Sequence, residues 1–181
     1  MQIDRETGVV VFPNGVTISP TLTQDAFCAL PAGRESQSQD YGTLPWIHYR
    51  LSGGEIDGKE ILVSLCFYDQ MLVRASLTAN HYPPGPRDWS SYSLEVEAAI
   101  KHFHDRLLEK LLGRPSKGPS FLLHRLPEGE GTLSRPLEWR FPWGKLCSTH
   151  DSKGGGTFIR VSYGNRYQEA SELYVQQNAQ R

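Results

Sequence analysis

The chain has 181 residues, of which 38% are hydrophobic and 22% are charged, and its formal net charge is −1. This size and composition predict a single globular domain over residues 1–181, with enough apolar surface for a substantial core. Because nucleic acids and anionic membranes are bound by clustered Lys and Arg, a near-neutral chain without a basic run argues against both as partners.

The N-terminal segment MQIDRETGVVVFPNG lacks the basic stretch followed by an apolar stretch that marks a secretory signal. No part of the chain approaches the ~18 consecutive apolar residues of a membrane helix. The cysteines are scattered and form no CxxC pair: Cys28, Cys66 and Cys147. We therefore expect reduced thiols in a cytoplasmic protein, with Cys66 and Cys147 on the core side of strands.

The first half of the chain is predicted to be mainly β-structure. Short β-branched runs in residues 1–18 predict small strands, and Asn14-Gly15 predicts a tight hairpin. A short helix is predicted from Thr23. The runs WIHYRLS, EILVSLCFY and LVRASLTA, which have short connections, predict an antiparallel meander.

Alternation in the first strand of the meander predicts one wet face and one packed face. The wet face takes Trp46, His48 and Arg50, and the packed face takes Ile47, Tyr49 and Leu51. The middle strand is apolar at nearly every position, so we expect it to be covered on both faces.

The main helix is predicted over residues 93–112. Ser93 is a good N-cap, and Gly113 and Pro115 end the helix. Helical spacing predicts one core-facing stripe: Val96, Ala99, Ile100, Phe103, Leu107 and Leu111. Two further leucines, Leu108 and Leu112, widen this apolar arc. Either the segment PSFLLHRL covers them, or they form a partner-binding edge, as in an adaptor or chaperone-like protein.

In the C-terminal third, the sequence predicts two strands, LEWRFPWGKLCS and TFIRVSY, followed by a helix in NRYQEASELYVQQ. Pro142 places the first strand at a sheet edge or in a bulge. Period-2 geometry puts Trp139, Phe141 and Trp143 on one face, with Arg140 and Lys145 on the other.

Together these elements predict an α+β fold. It is a mainly antiparallel sheet of five to seven strands, with the long helix packed across one face and a short C-terminal helix.

The stretch HDSKGGGTF lies between the last two predicted strands. A phosphate loop of the Walker type needs its lysine after the glycines and a helix next, whereas here Lys153 precedes them and a strand follows. The pattern favours a β-hairpin connection. An anion-binding nest and a flexible recognition loop remain as alternatives.

From the sequence motifs we predict no metal site, no cofactor and no catalytic residue. His102 and His104 are about 200° apart around a helix, so they cannot share one ion. A G-x-S-x-G nucleophile motif is absent. A Cys–His dyad stays open because its members need not be close in sequence. A small hydrolase or transferase with a His/carboxylate pocket is therefore the alternative to a binding protein.

Three features carry a resemblance to a known group of proteins. They are IDRETGVVVFPNGVTISP, a Trp and Ser ahead of a capped helix containing HD, and WGKLCSTHDSKGGGTFIRVSY. The chain resembles a family of small, mostly uncharacterised bacterial proteins from polymorphic-toxin neighbourhoods. The resemblance implies an immunity protein, and no catalytic residue carries over from it.

The lead prediction is a protein-binding module, an immunity-type inhibitor of a bacterial toxin. Trp, Tyr and Arg side chains anchor many protein interfaces. We therefore predict that aromatic and charged residues in or beside the loops contact a partner. They are Trp89, Arg140, Lys145, Asp151 and Lys153.

Overall fold

The computed structural model describes residues 1–39, 44–82, 92–116 and 133–179. Its strands are β1 (Gln2–Ile3), β2 (Val10–Val11), β3 (Thr17–Ile18), β4 (Gln37–Gln39), β5 (Trp46–Ile56), β6 (Lys59–Tyr68), β7 (Met71–Ala79), β8 (Leu137–Phe141), β9 (Gly144–Asp151) and β10 (Gly156–Tyr163). Its helices are α1 (Gln24–Ala29), α2 (Pro31–Glu35), α3 (Leu94–Leu112) and α4 (Arg166–Ala179). The predicted α+β fold is confirmed. No helix in the described ranges has the length and apolar character needed to cross a membrane.

A large antiparallel sheet has the strand order β4-β5-β6-β7-β10-β9-β8. Strand register sets one apolar row across six of these strands, and every member is buried: Tyr49, Leu65, Ala75, Val161, Leu146 and Trp139. We call this side the inner face. It packs against α3, α1 and the small sheet β1-β2-β3, which contributes Val10 and Ile18 to the same core.

The opposite side of the large sheet, which we call the outer face, packs against α4. A second apolar cluster forms there from Trp46, Cys66, Tyr68, Val73 and Ala170. The prediction that Trp46 lies on a wet face is wrong, because α4 covers this end of β5. Cys66 is therefore buried beneath α4 rather than in the main core, and Cys147 is partly buried on the same outer face. The prediction that Cys66 faces a core is therefore confirmed, in the cluster beneath α4, whereas Cys147 is only partly buried.

The segment predicted as one strand around Pro142 is a hairpin. Pro142 and Trp143 connect β8 to β9, and Arg140 pairs with Lys145 across the two strands. Trp139 is buried on the inner face. Trp143, which was predicted on the same strand face as Trp139 and Phe141, lies in the turn and stacks on Phe141 with ring centroids 5.3 Å apart. Arg140 and Lys145 lie on the opposite face from Trp139, as predicted.

The predicted ends of α3 are confirmed, but its predicted buried stripe is rotated. Ser93 caps the helix by accepting a hydrogen bond from the Val96 N–H. Ala99 is exposed and Phe103 only partly buried. The buried residues are Glu97, Ala98, Ile100, Lys101, His104, Leu107, Leu108 and Leu112. The apolar pattern missed this face because three of its members are polar side chains with partners inside the protein.

Leu108 and Leu112 belong to the main core, with exposed fractions of 0% and 6%. They therefore offer no edge for a partner, and the basis for the adaptor or chaperone-like alternative is removed. The segment PSFLLHRL, which was expected to cover them, lies outside the described residues.

Candidate functional site

Strand register aligns two rows of side chains across the outer face. The first row is Arg50, Ser64, Ser76, Arg160, Cys147 and Glu138. The second row is His48, Cys66, Arg74, Ser162, Lys145 and Arg140. We call these residues the two polar rows. They hold five Lys or Arg side chains and one Glu, so they concentrate positive charge in a chain whose formal net charge is −1.

Arg140 and Lys145 lie at the β8 end of the rows and share one carboxylate. Lys145 Nζ donates to Glu138 Oε2 over 2.9 Å, and Arg140 Nε donates to Glu138 Oε1. Burial alone would raise the pKa of Glu138, but hydrogen bonds from Lys145 and Arg140 outweigh burial and lower it. The Arg140 and Lys145 side chains are 62% and 45% exposed. Both cations are therefore accessible to a partner.

Asp151 is the last residue of β9, and its carboxylate accepts hydrogen bonds from the glycine-rich turn. Its Oδ1 accepts hydrogen bonds from the N–H groups of Lys153 and Gly154, both over 3.1 Å, and its Oδ2 lies 3.2 Å from Arg160. The Gly154 N–H, followed by that of Lys153 and by Arg160, lowers the pKa of Asp151 against an opposing effect of burial. Asp151 is therefore a structural residue at the base of the turn.

The hairpin interpretation of HDSKGGGTF is confirmed. β9 and β10 pair from Asp151 and Gly156 onward, and Gly155 has a φ of +63°. The turn N–H groups that would form an anion nest point instead at the chain's own carboxylate, Asp151. Lys153 is exposed in the turn. Trp89, the remaining predicted contact residue, lies outside the described residues.

Sequence reasoning missed two arginines near the other end of the rows. Arg50 is exposed, and the Arg74 guanidinium lies 3.9 Å from the centroid of the Tyr167 ring on α4. The alternation of residues along β5 predicts the face of the sheet on which Arg50 lies. The pairing of β6 with β7 is needed to place Arg74 near Arg50 on that face. No local signal in the sequence carries that pairing.

The outer face also contains a Cys–His contact. Cys66 Sγ lies 3.7 Å from His48 Nε2. Burial raises the pKa of the Cys66 thiol to about 11. Burial, then Arg74, then Arg50 lower the pKa of His48. Both shifts favour the neutral side chains near pH 7, so this contact is not the thiolate–imidazolium pair that a cysteine nucleophile needs.

A His/carboxylate cluster lies on the inner face beneath α3. Glu97 Oε2 is 3.9 Å from His150 Nδ1, and His150 Nδ1 is 3.0 Å from Thr157 Oγ1. The Glu97 and His150 side chains are only 4% and 7% exposed. The cluster is therefore enclosed and offers a substrate almost no exposed surface.

The other buried polar residues of α3 have structural partners. Lys101 is fully buried and forms an ion pair with Asp105 over 2.6 Å. His104 Nε2 accepts a 3.0 Å hydrogen bond from the Ala79 N–H at the end of β7. Burial, then Lys101, then His81 lower the pKa of His104 to about 3. Across the described ranges, no three His, Cys, Asp or Glu side chains are arranged to hold a metal ion.

Comparison of the chain with protein-family models, with curated proteins and with solved structures found no match.

Proposed function

We propose that this chain is a protein-binding module whose contact surface consists of the two polar rows and the β9–β10 turn. The strand register of the large sheet is the main support for this proposal. It places Arg140 and Lys145 on the same face as the Arg160–Asp151 pair, although these residues come from three strands. Exposed charges of this kind steer association and select partners.

The mixture of charges on this surface supports a protein partner. Glu138 lies between Arg140 and Lys145, and Asp151 lies against Arg160. A phosphate backbone gains affinity from many uninterrupted cations, whereas a protein surface offers charges of both signs. The two carboxylates therefore favour a protein over a nucleic acid.

The finer proposal is that the partner is a bacterial toxin, which the chain inhibits in the cytoplasm by covering its active site. Its support is the sequence resemblance to proteins from polymorphic-toxin neighbourhoods, together with the accessible charges at the β8 edge. The competing proposal of a small hydrolase or transferase would depend on Glu97 and His150. Because these residues are enclosed, we favour binding.

The test starts from a toxin encoded beside the gene for this chain. We expect co-expression to protect cells from the toxin, and we expect isothermal titration calorimetry to detect a complex of the purified proteins. The double variant Arg140→Glu/Lys145→Glu should weaken that complex. Lys110→Glu, which changes an exposed lysine on α3, is the control. A toxin that neither binds the chain nor is neutralised by it contradicts the finer proposal.

A further inference from the structure

The cations of the outer face fall into two groups that differ in their partners. Toward β8, Arg140 and Lys145 share Glu138, and Arg160 pairs with Asp151. Toward β5, no ion pair joins Arg50 or Arg74 to any carboxylate of the described chain. Among the described residues, the cations toward β8 thus have carboxylate partners, whereas the two arginines toward β5 have none within ion-pair distance.

Arg50 and Arg74 lie on β5 and β7, on either side of β6 and two residues apart in register, which places their backbones roughly 12 Å apart. Between and beside them the register places the hydroxyls of Ser64 and Ser76. Two guanidinium groups and two hydroxyl groups, all of them hydrogen-bond donors, therefore face the same region of the outer face.

The groups beside the two arginines leave their positive charge in place. His48 stands in register with Cys66 and Arg74, and its pKa is lowered by burial and by the two arginines. The Arg74 guanidinium rests on the Tyr167 ring, which holds a cation without neutralising its charge. A ligand that supplies negative charge here gains attraction from both arginines.

We propose that Arg50 and Arg74 bind carboxylates of an acidic segment on the partner protein. This inference rests on the proposed function and adds the chemistry of the partner. A guanidinium group forms paired, charge-assisted hydrogen bonds with a carboxylate, and the neighbouring serine hydroxyls accommodate the remaining oxygen lone pairs. The acidic segment lies across β5, β6 and β7, beside α4.

Carboxylates fit this surface better than a nucleic-acid backbone does. A phosphate chain that continued from Arg74 toward β8 would meet cations whose charge is already largely balanced by Glu138 and Asp151, so it would gain little further attraction there. An acidic protein segment can place its own charges only opposite Arg50 and Arg74, with cationic or neutral residues farther along. The charge pattern of the two polar rows therefore selects a short acidic segment.

The test uses fluorescein-labelled poly-L-glutamate as the probe, with binding to the full chain followed by fluorescence anisotropy at low salt. We expect saturable binding that Arg50→Glu and Arg74→Glu each weaken about tenfold, the effect of losing one charge-assisted contact. Arg106→Glu, which reverses an exposed arginine on α3, should leave binding unchanged. Circular dichroism verifies that each variant is folded.

Arg74→Glu also removes the contact with Tyr167 and can loosen α4, so Arg50→Glu is the decisive variant because Arg50 is exposed. Unchanged binding of the probe to Arg50→Glu overturns the inference. Tighter binding of an oligodeoxythymidylate than of poly-L-glutamate also overturns it. If the probe fails but the toxin complex forms, only this inference is lost. If the probe binds as expected but no toxin complex forms, the proposed toxin partner is lost instead.

Discussion

The hydroxyl of Tyr82 donates a 2.7 Å hydrogen bond to Oε1 of Glu97, whose exposed fraction is only 3%. The other carboxylate oxygen of Glu97 is buried without a hydrogen-bond partner. Tyr82 lies three residues after the end of β7, and Glu97 lies in the first turn of α3. This bond therefore ties the start of the helix to the segment that follows a central strand. Burial, followed by the carboxylate of Glu97, raises the pKa of Tyr82 to about 12.

We predict that Tyr82→Phe lowers the free energy of unfolding by roughly 1–3 kcal/mol, because it leaves a buried carboxylate oxygen unsatisfied. Urea denaturation measures the change. The control is Tyr174→Phe, which alters a partly buried tyrosine on α4 and should cost less than about 0.5 kcal/mol. Equal losses in both variants would contradict a special role for the Tyr82–Glu97 bond.

The second prediction concerns pH. The folded-state pKa of His104 is about 3, below the unfolded value near 6.5, so the unfolded chain binds more protons between these two pH values. His104 therefore contributes its full stability above pH 6.5, and this contribution is lost as the pH falls toward 3. His104→Gln keeps an acceptor for the Ala79 N–H but does not titrate.

Thermal unfolding between pH 7 and pH 4 tests the prediction. We expect His104→Gln to lose less stability than the parent chain over this interval, although it is the less stable protein at pH 7. Lys101 and His81 also face His104 and are unchanged in the variant, so the comparison isolates the imidazole. Parallel pH profiles would contradict the buried, neutral His104.

The third prediction concerns the β9–β10 turn. Gly155 has a φ of +63°, so Gly155→Val should lower the free energy of unfolding by roughly 1–2 kcal/mol through backbone strain. Lys153→Ala, two residues before Gly155, should change stability by less than about 0.5 kcal/mol. Differential scanning calorimetry compares the two variants.

The same turn gives a ligand test of the anion-nest alternative. Because Asp151 already accepts the turn N–H groups, phosphate, ATP and GTP should leave the melting temperature unchanged. A saturable rise that disappears in Lys153→Ala would contradict the hairpin-only interpretation and favour a phosphate-handling protein.

The fourth prediction separates backbone strain from close packing at the small sheet. Gly8 and Gly15 have similar φ values, +76° and +85°, but a Cβ added at Gly8 would lie 2.6 Å from the Trp143 side chain, whereas one at Gly15 meets nothing within 4 Å. Gly15→Ala should therefore cost roughly 1–2 kcal/mol, and Gly8→Ala roughly 1–3 kcal/mol more. Urea denaturation followed by tryptophan fluorescence measures both. Equal costs would show that Trp143 moves aside freely.

The sequence by itself determined the features that depend on neighbouring residues. Alternation in WIHYRLS assigned Arg50 to one face of β5 and Tyr49 to the other, and Ser93 with Gly113 set the limits of α3. The glycines after Lys153 predicted a hairpin. These predictions were right because strand alternation, helix capping and positive φ act within a few residues of the chain.

Only the tertiary structure decided the rotation of α3 and the composition of the outer face. Lys101 and His104 are buried because Asp105 and the Ala79 N–H satisfy them, and a polar residue with an internal partner looks solvent-exposed in a hydrophobic pattern. Arg50 and Arg74 share one surface because β5 and β7 both pair with β6 in one particular register. That register depends on packing of whole strands against α3 and the small sheet, so no local segment of the sequence contains it.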